Sequence, residues 1–281
     1  MNGTLSGPGG TLPPRPPLSG DPFPPPALPD WSVSFHARLD STNLEAQRRL
    51  AAGEAGKLLI LAESQTDGQC RHDRLWESPP GKGLWASFIL PVSAPLEILP
   101  QSTLVLAVAV REGIEQATGV RLGVKWPNDL LGNGRKCCGL LVETAGEPAS
   151  GRATPLILGA GVNCNQTVDD FPPYLREAAT SLSLLAGGKT FGRAGLLASV
   201  ARAIDVWFGR WEREGFSPVR EAWLARNCTL GRTVVLPGGY GHALATARDL
   251  DLSGALLAEA EDGAPLRLDS GEIRFPETVA P

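Results

Sequence analysis

Two lysines, with a carboxylate and an amide between them, form the part of this 281-residue chain best suited to chemistry. Lys125 opens the run Lys125-Trp126-Pro127-Asn128-Asp129, and Lys136 follows eleven residues after Lys125. Two ammonium groups in one small region could neutralise an anion such as a carboxylate or a phosphate. A surface hairpin with solvated lysines would account for the same residues without a ligand.

A β-hairpin over residues 123–143 is predicted to bring the two lysines together. Asn133-Gly134 is a dipeptide that accepts positive φ at both central positions of a type I′ turn, which suits a two-residue hairpin loop. Pro127 cannot donate to a strand ladder, and the Asn and Asp after it favour contacts with their own backbone. The first strand is therefore expected to bend between the lysines, which favours an anion site over a plain surface hairpin.

A second polar group stands at the start of a predicted helix. A strand is predicted over residues 31–39, and Thr42 and Glu45 then have capping-box spacing ahead of an apolar stripe. Capping alone would explain Thr42. Ser41 and Asn43 are left as further polar groups at a helix N-terminus, where backbone N–H groups converge and a polar ligand could bind.

A long polar loop over residues 64–83 follows the buried strand predicted over residues 57–63. Loops of more than about 12–15 residues inside a compact domain are usually functional or disordered. Basic residues and a tryptophan favour a flap over an anionic ligand, whereas a merely solvated loop would not need Trp76. The residues concerned are Arg71, His72, Arg74, Trp76 and Lys82.

The remaining pattern predicts an α+β protein. Strands are expected over residues 84–90 and 156–163, the second with glycines that let another group approach closely. A core helix capped by Ser102 is expected to reach Gly119, and a long amphipathic helix is expected over residues 192–214. Five short strands separated by glycine turns then predict a small SH3-like barrel. These strands begin at Thr233, Ala243, Ala255, Leu266 and Glu272.

The composition is that of a globular, mildly acidic protein. Its net charge of −4, from 26 basic and 30 acidic residues, excludes a general attraction to nucleic acids or membranes, so an anion site must be local. Neither a signal peptide nor an apolar run of about 18 residues is found, which predicts a cytoplasmic protein. Residues 1–29 contain ten prolines and are predicted to be a disordered tail. The five cysteines lack paired zinc spacing and are expected to be reduced.

In the order and spacing of these motifs, the chain from about Trp31 to its C-terminus resembles the biotin protein ligases, in the form without an N-terminal DNA-binding domain. The most specific element is the Lys-Trp-Pro-Asn-Asp run with Lys136 and Gly139 beyond it. The other matching motifs are Ser41-Thr42-Asn43, the loop pattern Gln65…Arg71…Trp76-x-Ser78-Pro79, and Gly159-Ala160-Gly161-Val162-Asn163. The proline-rich tail cannot form a helix-turn-helix, so DNA binding is not expected.

The resemblance implies a ligase that uses ATP and Mg²⁺ to convert biotin into biotinyl-5′-AMP and then transfers biotin to a lysine of a biotin carboxyl carrier domain. It implies a mixed, mostly antiparallel sheet with flanking helices, similar to class II synthetases, followed by the SH3-like barrel. The expected division is a tail at 1–29, a catalytic domain at 30–226 and a barrel at 227–281. A homodimer is compatible with the family. A lipoate protein ligase and a catalytically silent biotin-binding regulatory protein are the alternatives.

Residue roles also follow from the resemblance. Biotin is expected to contact Lys136 and a slot built from Ser41, Thr42, Asn43, Gln65, Gly68, Gly139, Gly159 and Gly161. Lys136 resembles the lysine that holds the biotin carboxylate against the α-phosphate, where two anions would otherwise repel. ATP and the adenylate are expected to contact Arg71, Arg74, Trp76, Lys125, Asn128 and Asn163. Asp129 fits either a Mg²⁺ contact or orientation of the incoming amine, and Lys136, Asp129 and Arg71 form the expected catalytic set.

The flap departs from the family pattern Gly-Arg-Gly-Arg-x-Gly-Arg, because this chain reads Gly68-Gln69-Cys70-Arg71-His72-Asp73-Arg74. Gln69 removes a bidentate phosphate contact, while Cys70 and Asp73 replace glycines and restrict the loop. The flap is therefore expected to hold its ligand less tightly than is usual for the family.

We expect the Gln69→Arg variant to bind biotin more tightly than the wild-type protein, because a guanidinium can pair with an anionic group of the ligand, here the biotin carboxylate, where the Gln69 amide cannot. Calorimetric titration of biotin into both proteins measures the difference. Equal affinities would contradict a weakened flap.

Overall fold

The computed structural model describes residues 27–69, 75–92, 96–144, 155–238, 240–241 and 243–276. Most of the proline-rich tail lies outside these residues. So do Cys70, Arg71, His72, Asp73 and Arg74, and the expectations for these residues stay predictions.

The described chain up to residue 163 contains nine strands. They are β1 (Ser32–His36), β2 (Leu58–Ala62), β3 (Gly68–Gln69), β4 (Leu75–Trp76), β5 (Gly83–Leu90), β6 (Gly123–Lys125), β7 (Asp129–Gly132), β8 (Arg135–Thr144) and β9 (Leu156–Asn163). Seven form one sheet in the order β1-β2-β5-β9-β8-β7-β6, in which β1 and β2 run parallel and the other neighbours antiparallel. The predicted mixed, mostly antiparallel sheet is confirmed. β3 and β4 pair with each other inside the predicted long loop.

Five α-helices occur among the described residues: α1 (Thr42–Ala51), α2 (Ser102–Thr118), α3 (Leu182–Leu185), α4 (Arg193–Glu214) and α5 (Ser217–Leu224). α1 contacts β2, β5 and β9, whereas α2 and α4 pack against each other and reach β5, β6 and β8. The long helix predicted over residues 192–214 is confirmed as α4. The short helices α3 and α5 were not predicted.

Apolar residues fill both faces of the sheet because successive strand residues point in opposite directions. In β2, Leu59 and Leu61 belong to the large core shared with α2 and α4. Leu58 and Ile60 belong instead to a smaller cluster with Ala46 of α1. Because both faces of β2 are buried, its sequence is apolar throughout. The face that α1 covers is also the face on which the cavity described below lies.

Two predicted helix caps are wrong. The N-cap of α1 is Ser41, whose hydroxyl accepts the N–H of Asn43, so Thr42 is the first helical residue and its hydroxyl is used elsewhere. Ser102 is likewise the first residue of α2 and not its cap. A 3₁₀ helix over Leu96–Gln101 leads directly into α2, and the cap position falls on Gln101 without a side-chain capping bond.

The predicted hairpin is a three-stranded meander. Asn133 and Gly134 have φ values of 50° and 77° and join β7 to β8, which confirms the two-residue turn. The Trp-Pro-Asn segment does more than bend one strand, because it reverses the chain from β6 to β7. Lys125 thereby ends one strand and Asp129 begins the next, directly opposite it.

The C-terminal part forms a separate antiparallel sheet in the order β10 (Thr233–Val235), β11 (Leu244–Leu250), β12 (Leu256–Ala260) and β13 (Pro265–Leu268). Four of the five predicted strands are confirmed. The fifth, from Glu272, contributes a single bridge between Arg274 and Val235. The sheet joins the large core, since Trp126 Nε1 donates to Gly254 O at 3.1 Å.

The four described cysteines are free thiols, as predicted. Cys137 and Cys138 are adjacent in β8, and both are fully buried in the large core, where they act as small apolar side chains. Burial raises the pKa of both thiols above the ordinary value. Among the described helices, none has the length and apolar character needed to cross a membrane.

Helix α2 approaches the backbone of α4 closely at Gly113. A Cβ at this position would lie 2.6 Å from Val200 Cα and 2.9 Å from its backbone N. Gly113→Ala should therefore destabilise the protein by about 1–3 kcal/mol through overpacking, although alanine favours helix by about 1 kcal/mol.

Urea unfolding measures this change, and Gly195→Ala in α4 is the matched control. No atom lies within 4 Å of a Cβ at Gly195. The control should be neutral or stabilising by up to about 1 kcal/mol. Equal effects at the two glycines would contradict close helix packing at Gly113.

Candidate active site

A single row of paired residues crosses five strands of the sheet. Charged residues stand at one end of the row and an aromatic residue at the other. Register pairs Lys125 with Asp129, Asp129 with Gly139, Gly139 with Gly161, and Gly161 with Trp85. Directly opposed residues present their side chains on one face. The row therefore runs from a charged end to an aromatic end across two positions that have no side chain.

A second row, two residues further along the strands, lies on the same face. It pairs Leu141 with Gly159, Gly159 with Ser87, and Ser87 with Ile60. Small residues again stand in the middle of the sheet. Together the two rows leave a depression between the lysines and helix α1.

This depression is an open cavity, with about 720 Å³ of empty space when the volume of its mouth is included. It brings together most of the residues that the sequence singled out. The lining contains Ser41, Thr42, Asn43, Gln65, Trp76, Lys125, Asn128, Asp129, Lys136, Gly139, Gly159 and Gly161, with Gln69, Trp85, Ala86, Trp126, Pro127, Leu140, Leu141, Ala160 and Glu272.

Asp129 is bound by both lysines. Lys136 Nζ lies 2.7 Å from Asp129 Oδ1, and Lys125 Nζ lies 3.6 Å from Oδ2. Burial raises the pKa of Asp129, but the charges of Lys136 and Lys125 outweigh it and hold the pKa below its ordinary value. The cluster keeps one net positive charge and suits an anion.

A β-bulge aims Lys136 into the site. Leu130 pairs with Cys138 and Leu131 pairs with Lys136, so Cys137 is an extra residue in β8. The bulge places Lys136 on the same face as Gly139. A Cβ at Gly139 would lie 3.0 Å from Lys136 Cε, so the glycine leaves room for the lysine to cross it.

Trp76 covers the glycine row. A Cβ at Gly161 would lie 2.9 Å from the indole, and one at Gly139 would lie 2.8 Å from it. Lys136 Nζ is 5.2 Å from the ring centroid, a cation–π distance. Trp76 Nε1 is buried without an acceptor among the described residues. A ligand ring packed on Gly161 therefore requires the indole to move.

Polar groups at the N-terminus of α1 are held by a fixed chain of hydrogen bonds. Gln65 Oε1 accepts from Thr42 N at 2.8 Å and from Thr42 Oγ1 at 3.2 Å. Gln65 Nε2 donates to Ser78 Oγ at 2.9 Å. Ser41 Oγ accepts from Asn43 N at 3.2 Å and keeps its own proton to donate.

The C-terminal sheet reaches the charged end of the row. Lys125 Nζ lies 5.5 Å from the ring centroid of Phe275, on whose ring the Arg232 guanidinium also stacks at 3.4 Å. Thr229 Oγ1 accepts from Trp126 N at 2.9 Å. The turn between Lys125 and Asp129 is thus held by contacts from beyond residue 227.

Two predicted contact residues stand outside the lining. Asn163 ends β9, where its amide donates to Thr180 O at 3.0 Å and accepts from Gln166 at 3.1 Å. Gly68 pairs with Trp76, and a Cβ there would lie 2.6 Å from Trp76 O, so it permits the β3–β4 ladder. Arg71 and Arg74 lie outside the described residues.

Sequence reasoning missed several residues of the site. Ser87 is the only polar residue in β5 and is fully buried, and this isolated hydroxyl in an apolar strand could have indicated its role. Glu143 binds Asn43 from the end of β8. Glu272 comes from the far end of the chain, and no local pattern links it to the cavity.

Asp129 suits the lysines better than a metal. No group of three or more His, Cys, Asp or Glu residues that could hold a metal ion occurs in the part of the chain that the structure describes. A divalent ion at Asp129 would compete with two ammonium groups already bound to the carboxylate. Protein-bound Mg²⁺ commonly uses few carboxylates and completes its ligand set with substrate phosphates and water.

Two family models match the chain: the biotin/lipoate A/B protein ligase family over residues 35–163 and the biotin protein ligase C terminal domain over residues 229–275. The fold and the site thus define a protein of the biotin and lipoate ligase class. Similar sequences and solved structures narrow this class to its biotin branch. The bifunctional ligase/repressor BirA of Bacillus subtilis is 38% identical over 233 residues, covering 82% of this chain and 70% of that protein.

The biotin–[acetyl-CoA-carboxylase] ligase of Paracoccus denitrificans is 33% identical over 243 residues, which cover 85% of this chain and 98% of that protein. Among solved structures, a biotin protein ligase from Aquifex aeolicus in complex with biotin and ATP has a TM-score of 0.70 and 28% identity. The match covers 86% of this chain and 97% of that one. The chain belongs to the biotin protein ligase family.

Asp129→Asn should destabilise the protein by about 1.5–3 kcal/mol near neutral pH, because both lysines lose a charged partner. The folded-state pKa of Asp129 lies below its ordinary 3.8. The stabilisation is therefore fully present above that value and is lost as the pH falls through the lower folded pKa. Urea unfolding of both proteins across this range measures it.

Asp249→Asn is the control, because Asp249 pairs with Arg220 on the surface and is 48% exposed. It should cost less than about 1 kcal/mol. A cost at Asp129 no larger than at Asp249 would contradict a structural ion pair.

Proposed function

We propose that the protein is an ATP-dependent biotin protein ligase that makes biotinyl-5′-AMP and transfers biotin to a lysine of a biotin carboxyl carrier domain. One observation carries the assignment. One cavity places an anion-binding lysine cluster at one end and hydrogen-bonding groups at the other, over a floor of glycines. Biotin has this distribution of a carboxylate and an uncharged, hydrogen-bonding ring.

The ring end of the site suits the ureido group of biotin. A ureido carbonyl accepts hydrogen bonds, and its two N–H groups donate them. Ser41 can donate its proton, and Asn43 lines the same end. Gly159 and Gly161 keep the floor low, and the ring would pack on Gly161 once the Trp76 indole moves away. Thr42 and Gln65 bond each other and hold this end in place.

Lys136 is the proposed catalytic residue for adenylation. In this step a carboxylate oxygen of biotin attacks the α-phosphorus of ATP, and pyrophosphate leaves with its bonding electrons. The reacting groups are both anions, so an ammonium group between them lowers their repulsion. Asp129 holds Lys136 in position before either substrate arrives, which preorganises the charge.

Nucleotide binding is assigned to the charged end of the row. Lys125 and Asn128 line the cavity there, and Asn128 donates to Leu140 O at 2.7 Å, which fixes its turn. Arg71, Arg74 and Trp76 would close over the adenylate. Asn163 lacks support for this role because its amide is occupied. Mg²⁺ bound with the triphosphate would supply charge neutralisation. Asp129 would serve the lysines and the incoming amine.

Transfer requires the carrier lysine to reach the adenylate as a neutral amine. Its nitrogen attacks the biotinyl carbonyl, the C–N bond forms, and AMP leaves. Asp129 lines the cavity next to Lys136, where it would orient the amine or accept its proton. We also propose a cytoplasmic location and the division into parts at residues 29 and 226. A homodimer remains a prediction.

Biotin-dependent exchange of pyrophosphate into ATP tests the assignment with the wild-type chain. Exchange that depends on lipoate would support a lipoate ligase, and no exchange with either acid would support a silent biotin-binding protein. Either result would overturn the proposed activity.

Lys136→Ala should abolish this exchange, a loss of at least about 10²-fold for a preorganised charge. The matched control is Lys57→Ala. Lys57 pairs with Asp205 at 2.8 Å and is absent from the cavity lining, so exchange should be unchanged. A normal rate in Lys136→Ala would contradict the role assigned to the bulged strand.

A further inference from the structure

Glu143 contacts Asn43 on the side that faces away from the cavity. It lies near the end of β8, outside the cavity lining. Asn43 Nδ2 donates to Glu143 Oε2 at 2.6 Å, and Gln47 Nε2 donates to Oε1 at 3.3 Å. Neither the motifs nor the proposed mechanism gives this carboxylate a role.

The carboxylate decides which way the Asn43 amide points. An ionised carboxylate only accepts hydrogen bonds, so the amide nitrogen must face Glu143. The amide oxygen must then face the opposite side, toward the floor of the cavity. There Asn43 Oδ1 lies beside Ser87 Oγ, and a Cβ at Gly159 would lie 2.5 Å from it.

Asn43 Oδ1 keeps capacity to accept from a ligand. Its one neighbouring donor among the described residues, Ser87 Oγ, also lies 2.7 Å from Thr42 Oγ1. A hydroxyl has one proton, so Ser87 donates to only one of these oxygens at a time. A carboxamide oxygen has two lone pairs, and one remains for an N–H group.

We propose that Glu143 is a positioning residue that makes Asn43 an acceptor for a ureido N–H, and that this pair selects biotin over lipoate. The proposal rests on the biotin ligase function. The lipoate ring has two sulfur atoms and no N–H group, so it leaves the oriented oxygen without a donor. A site built to accept an N–H rejects a ligand that lacks one more strongly than an apolar site could.

Exchanging the two groups tests this assignment. Asn43→Asp places two carboxylates in contact, and we expect the biotin KM in pyrophosphate exchange to rise by about 50-fold or more. Adding Glu143→Gln restores a donor behind position 43 and an acceptor in front of it, with the net charge of the pair unchanged. The double variant should recover to within about tenfold of the wild-type biotin KM.

Glu143→Gln alone leaves the amide free to turn and should raise the biotin KM by about five- to tenfold. The KM for ATP should change less than about twofold in every variant, because the pair acts on the ring end only. Gln47→Ala is the control: it removes the other partner of Glu143 without touching the cavity. Its biotin KM should stay within about twofold of wild type.

Two results would overturn the proposal: a double variant no better than Asn43→Asp, or a biotin KM unchanged by Glu143→Gln. Thermal unfolding of each variant shows whether it folds. If Asn43→Asp does not fold, the biotin KM of Glu143→Gln alone decides whether the proposal stands. These failures differ from failure of the proposed function. In that case the wild-type chain itself would show no biotin-dependent exchange.

Discussion

The carboxylate of Asp129 allows two lysines to share one face of the sheet. Without it, Lys125 and Lys136 would repel each other across a buried cavity, and the chain would gain by turning one of them to solvent. With it, the ammonium groups stand in place and one positive charge is left over. Anionic substrates therefore meet a charge that needs no rearrangement, which is the condition for strong electrostatic catalysis.

The space beside this cluster exists because the sheet lacks side chains there. Gly139, Gly161 and Gly159 lie in adjacent strands, and Ser87 continues the second row. A larger residue at any of these glycines would collide with Lys136, Trp76 or Asn43. The lack of side chains at these glycines opens the cavity, and it also lets the neighbouring polar side chains come close to the sheet.

Local sequence patterns were enough to predict much of this arrangement. The Asn133-Gly134 turn, the strand at 156–163, helix α4 and the residues of the lysine and glycine motifs follow from short-range rules of conformation and from the family resemblance. Their alignment in one row depends on four separate strand pairings, which no single segment encodes. The meander, the bulge at Cys137 and the approach of Glu272 are long-range consequences of that register.

The wrong caps have a similar explanation. Thr42 has capping-box spacing, yet its hydroxyl bonds Gln65 from a different strand connection, and Ser41 caps the helix instead. Ser102 follows residues that are already helical, so no cap is needed. Tertiary partners outweighed local preference by forming bonds that the isolated segment could not offer. Glu143 shows the same limit, since nothing near it in sequence indicates Asn43 as its partner.

The hydrogen bonds from Trp126 to Thr229 and Gly254 link the stability of the active-site turn to the docking of the terminal sheet. The turn that carries the active-site charges is one surface of the contact between the two parts of the chain. A substrate that tightens this turn therefore also raises the free energy needed to detach the terminal sheet, and a detached sheet weakens substrate binding by the same factor. The residues beyond 227 therefore act on the site as a bound effector would, except that they belong to the same chain.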